Sequence, residues 1–197
     1  MKKLFCLLTA FALVVCAVGC GGSPAAVTSP EATPDALPAF KGIEVGEGEF
    51  FITPAEFIDL INGIIDTQKD SNPDDKDIQH LLSLPYYSKS YQAEEIKSRG
   101  LKVTYTANTE GNLSKFEIQL YTPAADNEQM QFFGFLCGLL PRIFKPESKI
   151  DIGSELHIMK YNGAQQFYFS ETFDDDILYE YSDGQRMMHT LSISPKW

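Results

Sequence analysis

Apolar residues recur at helical spacing in two long stretches of the chain. The first begins at residues 53–56 (Thr-Pro-Ala-Glu), which have the form of a capping box with proline at the first helical position. We predict a helix over residues 53–67 with a buried stripe formed by Phe57, Leu60, Ile61, Ile64 and Ile65. Polar residues follow, and residues 72–73 (Asn-Pro) mark the start of a predicted short helix that carries Ile78, Leu81 and Leu82.

The second helical stretch begins near Asp126, which can cap a helix together with Gln129. We expect Pro141 to end or kink this helix, because proline lacks the backbone N–H that a helix interior needs. Gly134 and Gly138 lie one turn apart, which favours close packing onto another element. The buried stripe is predicted to be Met130, Phe133, Leu136, Cys137 and Leu140.

Apolar and polar residues alternate with period two between the helices, which predicts a β-hairpin from residues 101–106 and 116–121. Only a loop with an even number of residues places both apolar sets on one face. The four residues 108–111 supply such a loop, and they would pair Val103 with Phe116 and Leu101 with Ile118.

Two further hairpins are predicted in the C-terminal third. A two-residue loop at residues 162–163 (Asn-Gly) would pair Ile158 with Phe167 and Leu156 with Phe169, giving one apolar face. A three-residue loop at residues 182–184 would set Glu180 opposite Arg186, with Gly184 in the left-handed conformation. The face shared by this last hairpin is then Ile177, Tyr179, Tyr181, Met187, Leu191 and Ile193.

The order of elements predicts an α+β fold with an antiparallel sheet of about six strands and two main helices packed on one face. A helix followed by a hairpin occurs twice, which hints at a duplicated unit. The expected domain covers residues 41–197, which is long enough for one hydrophobic core.

The first residues of the chain have the organisation of a secretory leader. Lys2 and Lys3 precede an apolar run, residues 4–18, that is shorter than the roughly 20 residues a membrane-spanning helix needs. The run closes at residues 17–20 (Ala-Val-Gly-Cys), which resemble the lipobox of bacterial lipoprotein precursors. The resemblance implies a signal peptide over residues 1–19 and a diacylglycerol on the sulfur of Cys20, with palmitate among its acyl chains.

Two alternatives to lipidation at Cys20 stay open. Cys16 also follows an apolar outline, but Val15 stands where the lipobox pattern has Gly, Ala or Ser. In the other alternative both cysteines are ordinary leader residues and cleavage leaves no lipid. Residues 20–40 carry four prolines among Ala, Ser and Thr and are expected to form an extended tether.

Charge and cysteine usage narrow the function. Removing Lys2 and Lys3 with the leader leaves 14 of the 16 Lys and Arg residues against 27 Asp and Glu, a net charge of −13. This balance disfavours nucleic acid as a partner, because binding it relies on basic side chains. Cys137 is the one cysteine that would remain after leader removal and lipidation, and we expect it to be a small buried side chain.

Candidate metal chemistry is sparse. Asp70, Asn72 and Asp74 begin like an EF-hand loop, but Asp75 stands where that loop needs glycine and Leu81 where it needs glutamate. Residues 174–176 (Asp-Asp-Asp) are expected to form a solvated turn, with a weak surface cation site as the alternative. We predict no cofactor, no metal ligands and no catalytic residues.

The predicted outer face of the sheet is the most specific functional signal. With the registers above, it carries tyrosines and methionines, which are enriched where partners dock. In the alternative, these long side chains simply cover an open sheet or pack under residues 68–100. The outer face is predicted to hold Tyr121, His157, Met159, Tyr161, Tyr168 and Met188, and a partner-binding surface is predicted at His157, Met159, Tyr161 and Tyr168.

Together these features predict a lipid-anchored, non-enzymatic binding or assembly protein of the bacterial cell envelope, at the cell membrane or outer membrane and facing outside the cytoplasm. Its partners would be the membrane, through the lipid, and an envelope protein. An envelope hydrolase and a proteinaceous inhibitor of an extracellular enzyme are the alternatives. Residues 53–57 (Thr-Pro-Ala-Glu-Phe), followed by Asn62, together with the closing hairpins, are similar to small uncharacterised bacterial lipoproteins, which implies no assigned activity.

Overall fold

The computed structural model describes residues 40–86, 94–96, 100–158, 168–184 and 187–196. The chain divides into two units, Met1–Phe40 and Lys41–Trp197, and nearly all of the described residues belong to the second. None of the helices in the described ranges is long and apolar enough to cross a membrane.

The second unit has a mixed α+β fold built mainly on an antiparallel sheet, as the predicted fold class required. Its four helices are α1 (Pro54–Ser71), α2 (Lys76–Gln79), α3 (Asn127–Phe144) and α4 (Ile152–Glu155). Its strands are β1 (Val45–Gly46), β2 (Glu49–Phe50), β3 (Glu94–Glu95), β4 (Leu101–Ala107), β5 (Leu113–Tyr121), β6 (Tyr168–Asp174), β7 (Ile177–Gly184) and β8 (Met188–Pro195).

The main strands follow the order β4-β5-β8-β7-β6, and every neighbouring pair is antiparallel. The short strand β3 extends the sheet beyond β4. The β1–β2 hairpin joins the start of β5, where Phe50 pairs with Leu113. β5 is therefore an interior strand of the described part of the sheet, paired with β2, β4 and β8.

Helix α1 begins as the sequence predicts. The backbone N–H of Glu56 donates to the Thr53 hydroxyl at 3.3 Å, and the Glu56 carboxylate accepts from the Thr53 backbone at 2.9 Å. The hydrogen bonds with Thr53 hold the pKa of the Glu56 carboxyl below its ordinary value. The helix continues past the predicted end to Ser71. Phe57, Ile58, Ile61 and Ile65 are its buried apolar side chains beyond Pro54.

Helix α3 also begins with the predicted capping box between Asp126 and Gln129. Pro141 does not end the helix, which runs on to Phe144, and the other predicted outcome, a kink at Pro141, stays a prediction. Pro141, Ile143 and Phe144 are buried, and this burial compensates for the hydrogen bond that proline cannot donate. The expectation of close packing at Gly134 is also wrong, because a side chain there would meet open space.

Aromatic rings connect the two long helices with the sheet. The Phe57 ring of α1 lies 5.2 Å from the Phe116 ring of β5 and 5.8 Å from the Phe144 ring of α3, measured between centroids. Phe144 in turn lies 4.4 Å from Phe50 of β2, and Phe116 lies 5.6 Å from Tyr105 of β4. We call Phe50, Phe57, Tyr105, Phe116 and Phe144 the aromatic cluster.

The β4–β5 hairpin has the predicted buried face but a different register. Val103 pairs with Ile118 and Leu101 with Leu120, a shift of two residues from the predicted partners. The shift has a local cause, since a bulge between Thr106 and Ala107 inserts one residue. The turn then needs an odd loop, which Asn108 closes by donating its backbone N–H to Asn112 at 2.8 Å.

The β7–β8 hairpin likewise keeps its face and loses its predicted register. Tyr179 pairs with Ile193 and Tyr181 with Leu191, so Glu180 lies opposite Ser192 and not opposite Arg186. β7 extends through Gly184, and the turn follows it. Met187 adopts the left-handed conformation with φ of 57° in place of Gly184, and Met187 is exposed, not part of the core.

The predicted hairpin at residues 162–163 lies largely outside the described residues. Its first predicted strand is wrong at Leu156, which caps the C-terminal end of α4. Asp151 begins this short helix, accepting from the Ser154 backbone, and Ile152 and Leu156 are buried. The capping residue and the apolar pair therefore favour a helical turn here.

Asn62 holds an extended segment, residues 81–86, against α1. Its side-chain amide donates to the Leu84 carbonyl at 3.0 Å and accepts from the Leu84 N–H at 2.8 Å. Tyr105 donates its hydroxyl hydrogen to the Pro85 carbonyl at 3.2 Å. Since residues 81–86 form neither helix nor strand, these bonds supply partners for their backbone groups.

We predict that Asn62→Ala lowers the free energy of unfolding by about 1–3 kcal/mol, because it strips both polar partners from the Leu84 backbone. The matched control is Asp66→Ala, at an exposed position of the same helix, which gains a similar helix propensity and breaks no such pair. Urea unfolding of both variants measures the difference. Equal midpoints for the two variants would contradict a role for Asn62 in stability.

Candidate functional site

The residues predicted for the partner-binding surface are distributed differently from the prediction. Cys20, Met159 and Tyr161 lie outside the described residues. His157 is exposed, but it follows α4 in a turn with φ of 55°, and its placement on a strand is wrong. Its ring Nδ1 lies 2.7 Å from the Ser154 carbonyl oxygen.

Tyr168 lies on the opposite face from the one predicted. It pairs with Asp183, which pairs with His189, which pairs with the buried Leu120, and directly paired residues share a face. The Tyr168 ring accordingly lies 6.2 Å from the buried Tyr181 ring. The pairing of β6 with β7 decides this face, and the loop assumed at residues 162–163 would have reversed it.

Tyr121 and Met188 do lie on the outer face, as predicted. They pair with each other across β5 and β8, each next to a buried residue of the opposite face. Met188 is exposed and Tyr121 is half-buried. The predicted outer set is therefore divided between the two faces of the sheet. Docking of a partner at His157 and Tyr168 stays a prediction.

A buried polar chain that the sequence did not suggest lies at one end of the core face. The Tyr181 hydroxyl lies 2.6 Å from His189 Nδ1, and an Asp183 carboxylate oxygen lies 3.9 Å from the same nitrogen. The rings of Tyr181 and His189 are nearly parallel, at 10°. Tyr181 is 1% exposed and His189 6%. We call these three residues the Tyr181–His189–Asp183 chain.

Burial lowers the pKa of His189, and the nearby Asp183 carboxylate opposes that shift in part. A neutral imidazole with its proton on Nε2 can accept the Tyr181 hydroxyl hydrogen at Nδ1. The arrangement therefore provides a partner for two polar groups inside the core. With both rings almost completely enclosed, it joins β7 to β8 and offers no exposed nucleophile.

The register explains why the sequence did not reveal this chain. His189 meets Asp183 only when the turn follows Gly184, which requires the left-handed Met187. A methionine rarely adopts that conformation, so the sequence favoured a turn at the glycine. The usable signal was the alternation of residues 188–195, whose buried positions include His189.

The acidic residues of the β6–β7 turn bind a lysine. Lys145 Nζ lies 3.3 Å from the Asp174 carboxylate and also contacts Asp175, and the Ser148 hydroxyl donates to Asp174. The hydrogen bonds that Lys145 donates to Asp175, and to a lesser extent to Asp174, raise its pKa. In the described ranges, no group of three or more His, Cys, Asp or Glu side chains is arranged to hold a metal ion.

A surface cleft and a buried cysteine are two further candidates for a functional site. A cleft of about 360 Å³ is lined by Val45, Gly46, Glu47, Asp176 and Lys196, at the opposite end of β7 from the Tyr181–His189–Asp183 chain. Cys137 is buried in α3, and burial raises the pKa of its thiol to about 12. A thiol with that pKa is a poor nucleophile near neutral pH.

The outer side of β6 and β7 carries the largest exposed aromatic side chains of the sheet. Phe169 and Phe173 are 48% and 45% exposed, and Glu171 lies between them along β6. The predicted place of Phe169 on an apolar face with Leu156 is therefore wrong, because Phe169 pairs with Ser182 and Leu156 lies at the end of α4. On β7, Leu178 pairs with Phe173 and Glu180 pairs with Glu171. We call Phe169, Glu171, Phe173, Leu178 and Glu180 the β6–β7 outer face.

Comparison of the chain with protein families, with curated proteins and with solved structures gave no match. Its function is therefore inferred from the residues of this chain and their geometry.

The lowered pKa of His189 predicts a stability change with pH. The unfolded chain takes up a proton on this histidine as the pH falls through about 6.5, while the buried ring resists protonation until a lower pH. The variant His189→Gln cannot take up this proton. The free energy of unfolding of wild type, measured relative to that of His189→Gln, should therefore fall by up to about 1 kcal/mol when the pH is lowered from about 7.5 to about 5.5.

Urea unfolding of wild type and His189→Gln at the two pH values measures this difference, and subtracting the variant removes the contribution of other titrating groups. A stability advantage of wild type over His189→Gln that grows on acidification would show that the Asp183 carboxylate dominates and that the pKa of His189 is raised.

Tyr181→Phe should lower the free energy of unfolding by about 1–3 kcal/mol at the higher pH, because it leaves His189 Nδ1 buried without a donor.

Proposed function

We propose that this chain is a lipid-anchored, non-enzymatic binding or assembly protein of the bacterial cell envelope. The support for the anchor is the leader, in which Lys2 and Lys3, the apolar residues 4–18 and Gly19 precede Cys20. Each buried acyl methylene contributes about 0.8 kcal/mol, so two or more chains on Cys20 would hold the protein at the cell membrane or the outer membrane.

The tether fits the same role. Residues 21–40 contain Pro24, Pro30, Pro34 and Pro38, a spacing that favours an extended chain. At about 3.1 Å per residue in polyproline geometry, such a segment reaches on the order of 60 Å. The folded unit could then contact a partner at a distance from the lipid surface, outside the cytoplasm.

The observation that supports a binding role is the β6–β7 outer face. Phe169 and Phe173 present about half of their surface on one side of the same strand, and neighbouring exposed apolar side chains often mark a site where another molecule binds. Met187 and Met188 add exposed apolar surface at the β7–β8 turn. An envelope protein is the expected partner, and His157 and Tyr168 stay candidates for contact with it.

An envelope hydrolase has less support. Such an enzyme needs two polar catalytic groups that converge where a substrate can reach them. Tyr181 and His189 are close enough to exchange a proton, but their rings are enclosed by the core. This geometry favours a structural role for the pair, and it leaves binding as the better interpretation.

We infer further that both long helices pack on the buried face of the sheet. The support is the set of contacts of Phe57, which touches Phe116 of β5 and Phe144 of α3 at once. A duplicated helix–hairpin unit stays a prediction.

Metabolic labelling with an alkyne analogue of palmitate tests the anchor. The precursor is produced in a bacterial host as wild type, Cys20→Ala and Cys16→Ala, and the purified protein is coupled to a fluorophore. We expect label on wild type and on Cys16→Ala, the matched control, and none on Cys20→Ala. Cys20→Ala should also leave the membrane fraction. Label that survives Cys20→Ala, or is lost with Cys16→Ala, would overturn the assignment.

A further inference from the structure

We propose that the β6–β7 outer face binds a basic segment of a partner protein and places one Lys or Arg side chain between Phe169 and Phe173, against Glu171 and Glu180. This proposal rests on the binding role proposed above and specifies the chemistry of the partner. It depends on three features of the face: two exposed rings, two facing carboxylates, and a cation that already contacts one of the rings.

The two phenyl rings provide the apolar part of the site. Phe169 and Phe173 occupy alternate outward positions of β6 on either side of Glu171, so both project from the same face. Leu178, directly opposite Phe173, is half-buried and extends the apolar surface onto β7. Exposed rings of this size gain free energy when a partner covers them.

The two carboxylates provide the charge. Glu171 and Glu180 are directly opposite each other on adjacent antiparallel strands, an arrangement that brings Cβ atoms to about 4.5–5.5 Å and destabilises like charges. Within the described residues, neither forms a salt bridge, and Glu180 accepts only from the Ser192 hydroxyl, at 3.4 Å. One ammonium or guanidinium group placed between them would relieve the repulsion, and guanidinium can bond both carboxylates.

Lys196 shows how a cation contacts this face. Its ammonium nitrogen lies 5.0 Å from the centroid of the Phe173 ring, within the distance of a cation–π interaction. Phe169 stands at the other end of the same row, beyond Glu171, and is exposed to a similar degree. A second cation, from a partner, would find a ring and a carboxylate pair there.

Charge complementarity selects the occupant. A second copy would bring the same two glutamates into apposition, and an anionic lipid surface would be repelled. A basic protein segment carries the charge that complements the two glutamates, and the net charge of −13 after leader removal would steer it towards this protein.

The test uses the full mature chain in neutral detergent and a capped heptapeptide, Thr-Val-Thr-Arg-Thr-Val-Thr. The matched peptide carries citrulline, a neutral group of the same shape, in place of arginine. Binding is followed by NMR chemical-shift changes at residues 168–174 and 177–184. We expect shifts on this face with the arginine peptide, weaker affinity for the citrulline peptide, and weaker binding in 0.5 M salt, where the Debye length falls to about 4 Å.

Variants of the protein test whether Glu171, Glu180 and Phe169 bind the peptide. Glu171→Gln/Glu180→Gln should weaken binding of the arginine peptide at least about threefold, as expected for two exposed charge contacts. Glu110→Gln/Glu147→Gln removes the same charge at exposed positions outside β6 and β7 and should leave the affinity unchanged. Phe169→Ser should weaken binding of both peptides, and circular dichroism checks that each variant is folded.

Each outcome decides the proposal. Equal affinity for the arginine and citrulline peptides would overturn the basic partner class but keep a binding role for the face. Equal weakening by the two double variants would reduce the effect to net charge and overturn the site. Shifts elsewhere, or none, would also overturn the site, whereas the lipid anchor would stand or fall independently on the labelling of Cys20.

Discussion

The contact of the Phe57 ring with Phe116 and Phe144 is the interaction on which the rest of the structure depends. Through this contact α1, β5 and the last turn of α3 meet in one place. Phe50 extends the same cluster to the β1–β2 hairpin through Phe144. Because Phe57 follows the capping box by one residue, the local signal that begins α1 also sets the ring in position to reach the sheet.

Polar contacts then fix the parts of the chain that have no regular structure. Asn62 bonds both backbone groups of Leu84, and the buried Gln129 side chain donates to the Ile96 carbonyl at 2.8 Å. Inside the core, the side chains of Tyr181 and His189 are hydrogen-bond partners of each other. Within the described residues, the buried Tyr179 hydroxyl has no hydrogen-bond partner, and burial raises the pKa of its phenol, so it stays protonated.

How far the sequence predicts this fold depends on whether a residue's environment is local. Thr53 with Glu56, and Asp126 with Gln129, form their capping boxes within one turn, and both helix starts are confirmed. The buried faces of β4, β5, β7 and β8 follow from alternation alone. The registers do not, because each depends on a local irregularity that alternation does not indicate: the bulge between Thr106 and Ala107, and the left-handed conformation of Met187. Pro141 is buried inside α3, and the helix continues past it to Phe144, which the sequence alone did not indicate.

The sequence predicts that the outer face of the sheet carries exposed aromatic side chains, but it does not predict which residues these are. Exposed aromatic side chains on an outer face are present, but they are the phenylalanines of β6, where alternation with the half-buried Ser170 and Thr172 sets them outward. Tyr168 points to the core because β7 and β8 determine the pairing of β6 with the sheet. The residues that carry the resemblance to small lipoproteins, from Thr53 to Asn62, turn out to act in capping, core packing and the Leu84 contact, which are roles in folding.

Native-state hydrogen exchange on Phe57→Ala tests the central role of the aromatic cluster most directly. If Phe57 joins the helices to the sheet, truncating it should cost about 3–5 kcal/mol and lower the protection of amides in α1, β5 and the last turn of α3 together. Phe57→Leu, which keeps most of the buried volume, should lower all three by a smaller, common amount. Loss of protection in α1 alone, with β5 and α3 unchanged, would contradict the account and show that α1 is an independent element.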